Sequence, residues 1–584
     1  MTRFLTLFAC AILVLGAASV AFAQSDTRVS SGSPATPFSE NKQNEPALAV
    51  DANHPNILAA GSNDELDEEA CNAGNDTTCP FTPGIGVSGV YFSFDSGNTW
   101  TQPTYTGLSA RNCQGLVGNS DPACRPQVGP IGTLPWYFEN GLVADGDPAL
   151  AFGPRRSANG TFSWANGSRL YYANLTSNLG ATRTDETFKG FEAIGVSRTD
   201  NVVAAAAGDK SAWMPPVIAS KQNSTLFADK EQIWADNASS SAFFGNVYIC
   251  YVAYRGQEKG NAFPSPLVVI SSRDGGDTWI QQQVTAAVGN RNNLGRSGCT
   301  IRTDSHGVVY VFVATFGLGT PGTGSHVLIQ SFDGGLTFTA PRAIFSATDT
   351  CMFVDPVLGR CVMDGIAGAR DDLSPAPSVD IANGAPTGAD ATDVIVDAWA
   401  DGRDGMNHEH VFVSASTDHG ATWSASRSIE SSGDRGYYAA PAISPNGRDV
   451  YVVYNAFTTP FRNNTTDPRA LVGVVKHADV STSGAVGAFT ELHRGTPGDP
   501  RGSSQNNLVG EFLGDYVYAV ATRTYGTGVW NDTRNAADCP AIDAWRMALR
   551  TGDTSVPRPA PQQDCAPTWG NSDIFGGSFP DPTP

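Results

Sequence analysis

The chain carries only one apolar run that approaches membrane length, from Phe4 to about Val20, and it lies at the extreme N-terminus behind a single cation, Arg3. That run is short for a span, no stop-transfer pattern follows it, and Ala21-Phe22-Ala23 precedes Gln24 as a small-x-small cleavage site. Residues 1–23 therefore read as an export leader and not as an anchor. Cys10 sits inside the apolar stretch and not at the cleavage point, which argues against a lipid-modified start. Charge is also scarce, at 16% of residues, and its balance of 37 Lys and Arg against 57 Asp and Glu leaves a formal −20. With no basic run anywhere, nucleic acid and anionic membranes are disfavoured as partners, and the acidic surface serves solubility. A G-x-S-x-G elbow and a P-loop are both absent, so α/β-hydrolase and nucleotide chemistry find no support. Gly84-Ile-Gly86-Val-Ser-Gly89 and Gly317-Leu-Gly319-Thr-Pro-Gly322 match G-x-G-x-x-G, but each precedes a strand instead of opening a helix, and both are loops. No long stretch shows helical periodicity.

What the chain has in quantity is turn chemistry and aromatics: 62 Gly, 37 Pro and 10% Phe, Trp and Tyr. Short β segments separated by turns follow. Ten cysteines remain beyond the leader, as near neighbours Cys71/Cys79, Cys113/Cys124, Cys250/Cys299, Cys351/Cys361 and Cys539/Cys565. None has zinc-ligand spacing, and an even count in an exported chain reads as structural disulfides whose connectivity the sequence leaves open. His408-Glu-His410 puts two imidazoles on one side of a strand, yet no third ligand is identifiable, so no metal site is assigned.

Four segments share one pattern: Ser93-Phe-Asp95-Ser-Gly97-Asn-Thr99-Trp100, Ser272-Arg-Asp274-Gly-Gly276-Asp-Thr278-Trp279, Ser331-Phe-Asp333-Gly-Gly335-Leu-Thr337-Phe338 and Ser416-Thr-Asp418-His-Gly420-Ala-Thr422-Trp423. This is the Asp box, S-x-D-x-G-x-T-W/F. Asp accepts from turn N–H groups, Gly supplies a φ > 0 position and the aromatic packs inward. Repetition at this scale implies a propeller or solenoid. Seven strand starts accompany the boxes, at Glu45-Pro, Asp147-Pro, Glu231-Gln, Cys299-Thr, Ala376-Pro, Ala440-Pro and Gly514-Asp. Two strands, a third ending at a box and a fourth after it make a four-stranded blade. The expectation is an all-β propeller over 41–550 with seven blades favoured and six as the alternative. Residues 24–40 form an N-terminal segment that can close the ring near Val29, and 551–584 a Pro-rich tail pinned by Cys539 and Cys565.

With the boxes, the Glu45-Pro46 opening and the Trp399-Ala-Asp401-Gly-Arg403 strand end in place, the chain resembles the sialidase/BNR-repeat superfamily over roughly residues 40 to 550. The resemblance implies a six-bladed propeller, one blade fewer than the strand starts count, and an exo-acting glycoside hydrolase with an arginine clamp for a carboxylate. The early Arg-Ile-Pro motif of such enzymes does not occur here, and Asp boxes also occur in receptors and assembly factors without catalysis.

In a blade of this design, first-strand starts and second-strand ends open on one face and the boxes lie on the other, so Asp95, Asp274, Asp333 and Asp418 are scaffold. The mouth would collect Glu45, Asp147, Glu231 and Asp515 from strand starts, and Arg255, Arg403 and Arg534 from strand ends. Trp399-x-Asp401-x-Arg403 and Trp530-x-Asp532-x-Arg534 repeat one pattern, and period-two alternation puts each trio on one face. Three arginines would hold a sialic or uronic acid, Glu45, Asp401 and Asp532 would supply acid and base, and the resemblance makes Tyr437 or Tyr438 a candidate nucleophile. The alternative is that Asp and Arg at these strand ends pair with one another structurally in a non-catalytic propeller that binds glycan or protein. No cofactor is called for, a structural calcium ion is compatible with the fold, and the expected protein is an extracellular or periplasmic monomer whose partner is a glycan or glycoconjugate.

Overall fold

A computed structural model describes residues 25–32, 42–68, 82, 84–113, 125–180, 184–255, 266–287, 297–315, 322–505 and 507–583. The leader, Cys71, Cys79, Cys124 and most of the second glycine-rich motif lie outside these residues. The chain forms seven blades around one axis. Blade 1 has strands Gln43–Val50, Leu58–Asp64 and Ser88–Ser93, and its outer edge is completed by Thr101, which exchanges both backbone hydrogen bonds with Phe92 at 2.9 Å. Blades 3 to 6 follow the regular design, with strands Leu226–Ala235, Val247–Arg255, Leu267–Ser272 and Ile280–Gln283, then Ser297–Thr303, Val309–Ala314, Thr323–Ser331 and Arg342–Thr348, then Ser378–Ile381, Ile395–Asp401, His410–Ser416 and Arg427–Ser428, then Arg435–Ile443, Asp449–Phe457, Leu471–Asp479 and Thr490–Arg494. Blade 2 adds Leu142–Ala144 beside the far end of its 17-residue second strand, Phe162–Asn178.

The strands are apolar on both faces because each blade is sandwiched between two others, which is why they read as continuous runs instead of alternations. Val247 to Tyr254 are all buried, with Ile249 and Tyr251 packing toward Ile194 and Val196 of blade 2 while Tyr248 and Cys250 pack toward Ile301 and Val311 of blade 4. Near the axis there is less room, and the inner strands carry small residues there: Ala47 and Ala49, Ala149 and Ala151, Ala440 and Ala442, all buried.

The four S-x-D-x-G-x-T segments form one turn repeated four times, each between the third and fourth strands of blades 1, 3, 4 and 5. In each, the Ser hydroxyl accepts from the Gly N–H at 2.8–2.9 Å and the Asp carboxylate accepts from the Thr N–H at 2.8–3.0 Å. The glycines take φ of 80–88°. These hydrogen bonds to the charged form hold each of the four carboxyls below the ordinary range, against a smaller or larger cost of burial.

Blade 7 closes the ring with strands from both ends of the described chain. Tyr518–Ala521, Tyr525–Asp532 and Asp573–Pro580 are joined at the outer edge by Thr27–Arg28, which pairs antiparallel with Gly576 and Phe575. Val29 then packs with Leu48, Leu58 and Tyr91 of blade 1 and Val529 and Ile574 of blade 7. A boundary at 550 is therefore corrected: the propeller runs to Pro580, and what lies between the second and third strands of blade 7 is an insertion. That insertion holds a 12-residue helix, Pro540–Thr551, which sequence periodicity did not reveal. Its buried residues Ile542, Trp545 and Ala548 recur every third position, Pro540 opens it and Gly552 closes it at φ 73°. Disulfides join Cys250 to Cys299 between blades 3 and 4, Cys351 to Cys361, and Cys539 to Cys565 across the insertion; Cys113 is also disulfide-bonded. Among the described residues no helix is long and apolar enough to cross a membrane.

Candidate functional site

The first strands do not start cleanly. Glu45, Asp147, Lys230 and Tyr438 occupy the left-handed region at φ 56°, 51°, 59° and 56°, and Gly298 and Gly514 take the same place in blades 4 and 7 at 49° and 77°. Pairing with the second strand slips at these points in blades 1, 3, 4 and 6. A bulge re-aims the side chain at its apex, here toward the axis. A non-glycine residue held in this region costs on the order of 1–3 kcal/mol, and such strain gathers where function requires it. Four instances converge on one point.

At that point lies a buried ionic group. Lys230 Nζ donates to Asp515 and to Asp147 at 3.1 Å, with Glu45 at 3.7 Å and Asp229 at 3.9 Å. Arg370, from the segment between blades 4 and 5, donates to Asp515 at 2.7 and 3.1 Å, reaches Glu45 at 3.5 Å and stacks over Phe512 at 4.5 Å. Asn63 bridges the first two blades by donating to Glu45 Oε2 at 2.8 Å while accepting from the Asp147 N–H at 2.8 Å. Two cations meet four carboxylates here, and the environment divides the carboxylates. Burial, then the charge of Asp147, pushes Glu45 well above the ordinary range. Burial also raises Glu231 well above it and Asp229 to about 7. For Asp147 and Asp515 burial acts in the same sense, but Lys230 on the first and Arg370 with Lys230 on the second outweigh it and hold both below the ordinary range. Glu45 is thus the weaker acid of the group and faces the stronger acids Asp147 and Asp515.

Glu231 is buried in the interior, and neither of its oxygens has a hydrogen-bond partner among the other described residues. The mouth above is a cleft of about 60 Å³, lined by Lys230, Glu231, Thr300, Ser378, Tyr438 and Asp515 among others. A larger cavity of about 200 Å³ opens at the opposite end of the axis between Leu48, Leu150, Trp234, Ile381 and Ile443. Arg302 and Tyr518 line both and bond to each other at 3.1 Å.

The structure brings Glu45, Asp147 and Asp515 together and sets Glu231 beside them, but it places the remaining expected residues differently. Tyr437 and Tyr438 have hydroxyls 3.0 Å apart, and they donate to the backbone carbonyls of Arg370 at 2.6 Å and of Gly514, with burial raising both phenols well above their ordinary value. Arg403 lies on Asp401 of its own strand through two bonds of 2.8 Å and over the Phe412 ring at 4.1 Å. Arg534 lies on Asp532 and on Asp26 at 2.7 Å each and over Phe575 at 3.9 Å. In both strands the tryptophan indole completes the trio, Trp399 to Asp401 at 3.0 Å and Trp530 to Asp532 at 3.2 Å. Arg255 ends its strand exposed to solvent. His410 is held by Glu430 and Asp404, each at 2.7 Å, and Glu409 is buried on Arg435.

Two residues escaped sequence reasoning. Lys230 is the position equivalent to Glu45 and Asp147, one residue before the Glu231 that was read as the strand start. The signal available was the run Asp229-Lys230-Glu231, a lone cation between acids. Arg370 belongs to no strand, and nothing local marks it.

No protein-family model matches the chain, and no curated protein does. Solved structures do. The Hadza microbial sialidase Hz136 aligns at 14% identity and TM-score 0.38 over 70% of this chain, and the chain spans 63% of that protein's length. Phage phi92 endosialidase aligns at 9% identity and TM-score 0.38 over 96% of this chain and 69% of its own. The Trypanosoma rangeli sialidase in complex with the inhibitor DANA aligns at 11% and 0.35, over 76% of this chain and 56% of its own. The chain is a seven-bladed β-propeller, and the solved structures to which it is similar include sialidases.

Proposed function

We propose that this is a secreted carbohydrate-active protein that binds the end of a glycan at the axial mouth and cleaves a terminal glycosidic bond there. The observation that carries the reading is the convergence of Glu45, Asp147 and Asp515 at the mouth, the first two on strained, left-handed backbone, where burial pushes Glu45 above the ordinary carboxyl range while the neighbouring cations hold Asp147 and Asp515 below it. Pairs of carboxyl groups driven apart in acidity are how a site runs acid and base chemistry together. Glu45 would protonate the leaving oxygen, and Asp147 or Asp515 would stabilise the positive charge developing on the sugar ring or activate water. Lys230 and Arg370 hold the two ionised carboxylates in place. Both cations are already matched, and Arg403 and Arg534 are engaged by aspartates of their own strands, so among the described residues no three-arginine clamp awaits a substrate carboxylate and Arg255 alone of the three ends its strand exposed. A neutral terminal sugar fits this balance better than an acidic one.

A second reading, a propeller that binds glycan without cleaving it, is favoured by the small mouth and by the two tyrosine hydroxyls being spent on carbonyls. Hydrolysis of aryl glycosides decides between them, with neutral sugars, a uronide and a sialoside tested on the mature protein and on Glu45→Gln. Turnover of a neutral glycoside that falls about 100-fold or more in Glu45→Gln supports the catalytic reading. Turnover of the sialoside or uronide alone would restore an acidic substrate, and no turnover alongside glycan binding would leave the binding reading.

A further inference from the structure

On the face opposite the mouth, where blade 6 meets blade 7, four potential metal ligands converge with too little positive charge among them. Asp449 opens the second strand of blade 6, Asp449–Phe457, and Asp479 ends the third, Leu471–Asp479. The two are direct cross-strand partners, and Tyr451 and His477 are the next pair on the same face. Asp581 arrives from blade 7, one residue beyond Asp573–Pro580. One ligand atom from each of Asp449, His477, Asp479 and Asp581 lies within 4.8 Å of all the others. Like charges directly opposite in an antiparallel pair repel. Among the described residues the ion pairs of these carboxylates run only to His477, whose Nε2 is 3.2 Å from Asp449 and 4.0 Å from Asp581. Thr583 contributes neutral hydrogen bonds to Asp479 and Asp581.

A second observation points to a ligand at the same place. Tyr451 is 2% exposed, its hydroxyl has no hydrogen-bond partner among the described residues, and it lies on the strand face of Asp449 with its ring packed on His477 at 4.9 Å between centroids. A buried polar atom without a partner is uncommon and asks for an occupant. The one other cluster of comparable make-up among the described residues lacks this feature: Asp304 is satisfied by the N–H groups of His306 and Val308 and by the Tyr310 hydroxyl, and Asp393 by Ser305.

We propose that Asp449, His477, Asp479 and Asp581 bind one divalent first-row cation, Zn²⁺ or Mn²⁺, which clips blade 6 to the third strand of blade 7, Asp573–Pro580. One imidazole nitrogen with carboxylate oxygens is a donor set that such ions take readily, whereas Ca²⁺ and Mg²⁺ prefer all-oxygen sites. Asp573–Pro580 is held at its middle by Thr27–Arg28, and the ion fastens its far end.

The test uses the full mature chain, stripped with chelator, reloaded separately with Zn²⁺, Mn²⁺, Ca²⁺ or Mg²⁺, desalted, and assayed for bound metal and thermal midpoint. One equivalent of Zn²⁺ or Mn²⁺ is expected to stay bound and to raise the midpoint, with Asp479→Asn weakening binding about 10-fold or more and removing the shift. Asp479 is exposed, so its replacement leaves the fold intact, whereas His477 is buried in it. Failure of the wild type to retain either ion, or equal retention by Asp479→Asn, overturns the site. Glycosidase activity is not read, so the outcome is independent of the proposed function.

Discussion

At the scale of single residues, the axial group is held by charge balance inside the protein and is sensitive to the loss of one member. Lys230→Ala leaves Asp147 and Asp515 ionised and buried without their common partner, and removing one side of such a pair costs about 3–5 kcal/mol. Urea unfolding of that variant checks the figure. Lys230→Gly would relieve the backbone strain yet destabilise nearly as much, which separates the charge from the conformation. Titration has a sign here as well. Asp147 and Asp515 sit below their unfolded value of 3.8, so the stability they contribute is present above it and is lost as pH falls further. Elsewhere, Glu430 and Asp404 raise His410 above 6.5, against the effect of partial burial, so its contribution is full below that value and disappears as pH rises through the folded-state pKa. Thermal midpoints measured from pH 6 upward should fall less in His410→Gln than in the wild type.

At the scale of elements, the W-x-D-x-R strand ends act as struts. Arg403 is 37% exposed as a side chain and Arg534 is 12% exposed with a second partner, Asp26, just ahead of the ring-closing strand. Arg534→Ala is therefore expected to destabilise more than Arg403→Ala, by roughly 1.5–3 kcal/mol for the charged hydrogen bonds it removes, as denaturant midpoints would record. Asp26 itself is opposed by burial, but His493 and Arg534 hold it at about 2, so its contribution to ring closure is intact above 3.8 and is lost as pH falls toward 2. Hydrogen exchange of Asp573–Pro580 should accelerate in that window before the other blades open. The last strand also shows why a segment can be invisible in sequence. Gly576 and Gly577 weaken the β signal, yet a Cβ on Gly576 would stand 2.7 Å from the Gly528 carbonyl, so the glycine is required by close approach within the sheet.

At the scale of the whole molecule, what was legible depended on how local the physics is. The S-x-D-x-G-x-T turns close their hydrogen bonds within five residues, so four copies announce blades without any knowledge of packing. Strand starts were legible too, and with them Glu45, Asp147 and Asp515. The bulge at Lys230 was not, because a period-two reading assumes an unbroken register and a left-handed residue shifts it by one. Arg370 meets Asp515 and Glu45 across 145 and 325 residues of chain, and only the closed ring brings them together. The helix at Pro540–Thr551 was hidden at the end of a region read as propeller strands, and the strand beyond it, Asp573–Pro580, in a Pro-rich segment read as a tail. The propeller thus supplies the frame, with the S-x-D-x-G-x-T turns on one face and the strained strand starts gathered on the other.

The central claim is that function resides in the axial group and not in the strand-end arginines. It is tested most directly by kcat/KM on the best glycoside for the wild type, Glu45→Gln and Arg403→Ala, measured side by side with each variant shown to be folded. A loss of about 100-fold or more is expected for Glu45→Gln and little change for Arg403→Ala. Full activity in Glu45→Gln with activity abolished in Arg403→Ala, or no turnover by the wild type on any glycoside, would contradict it.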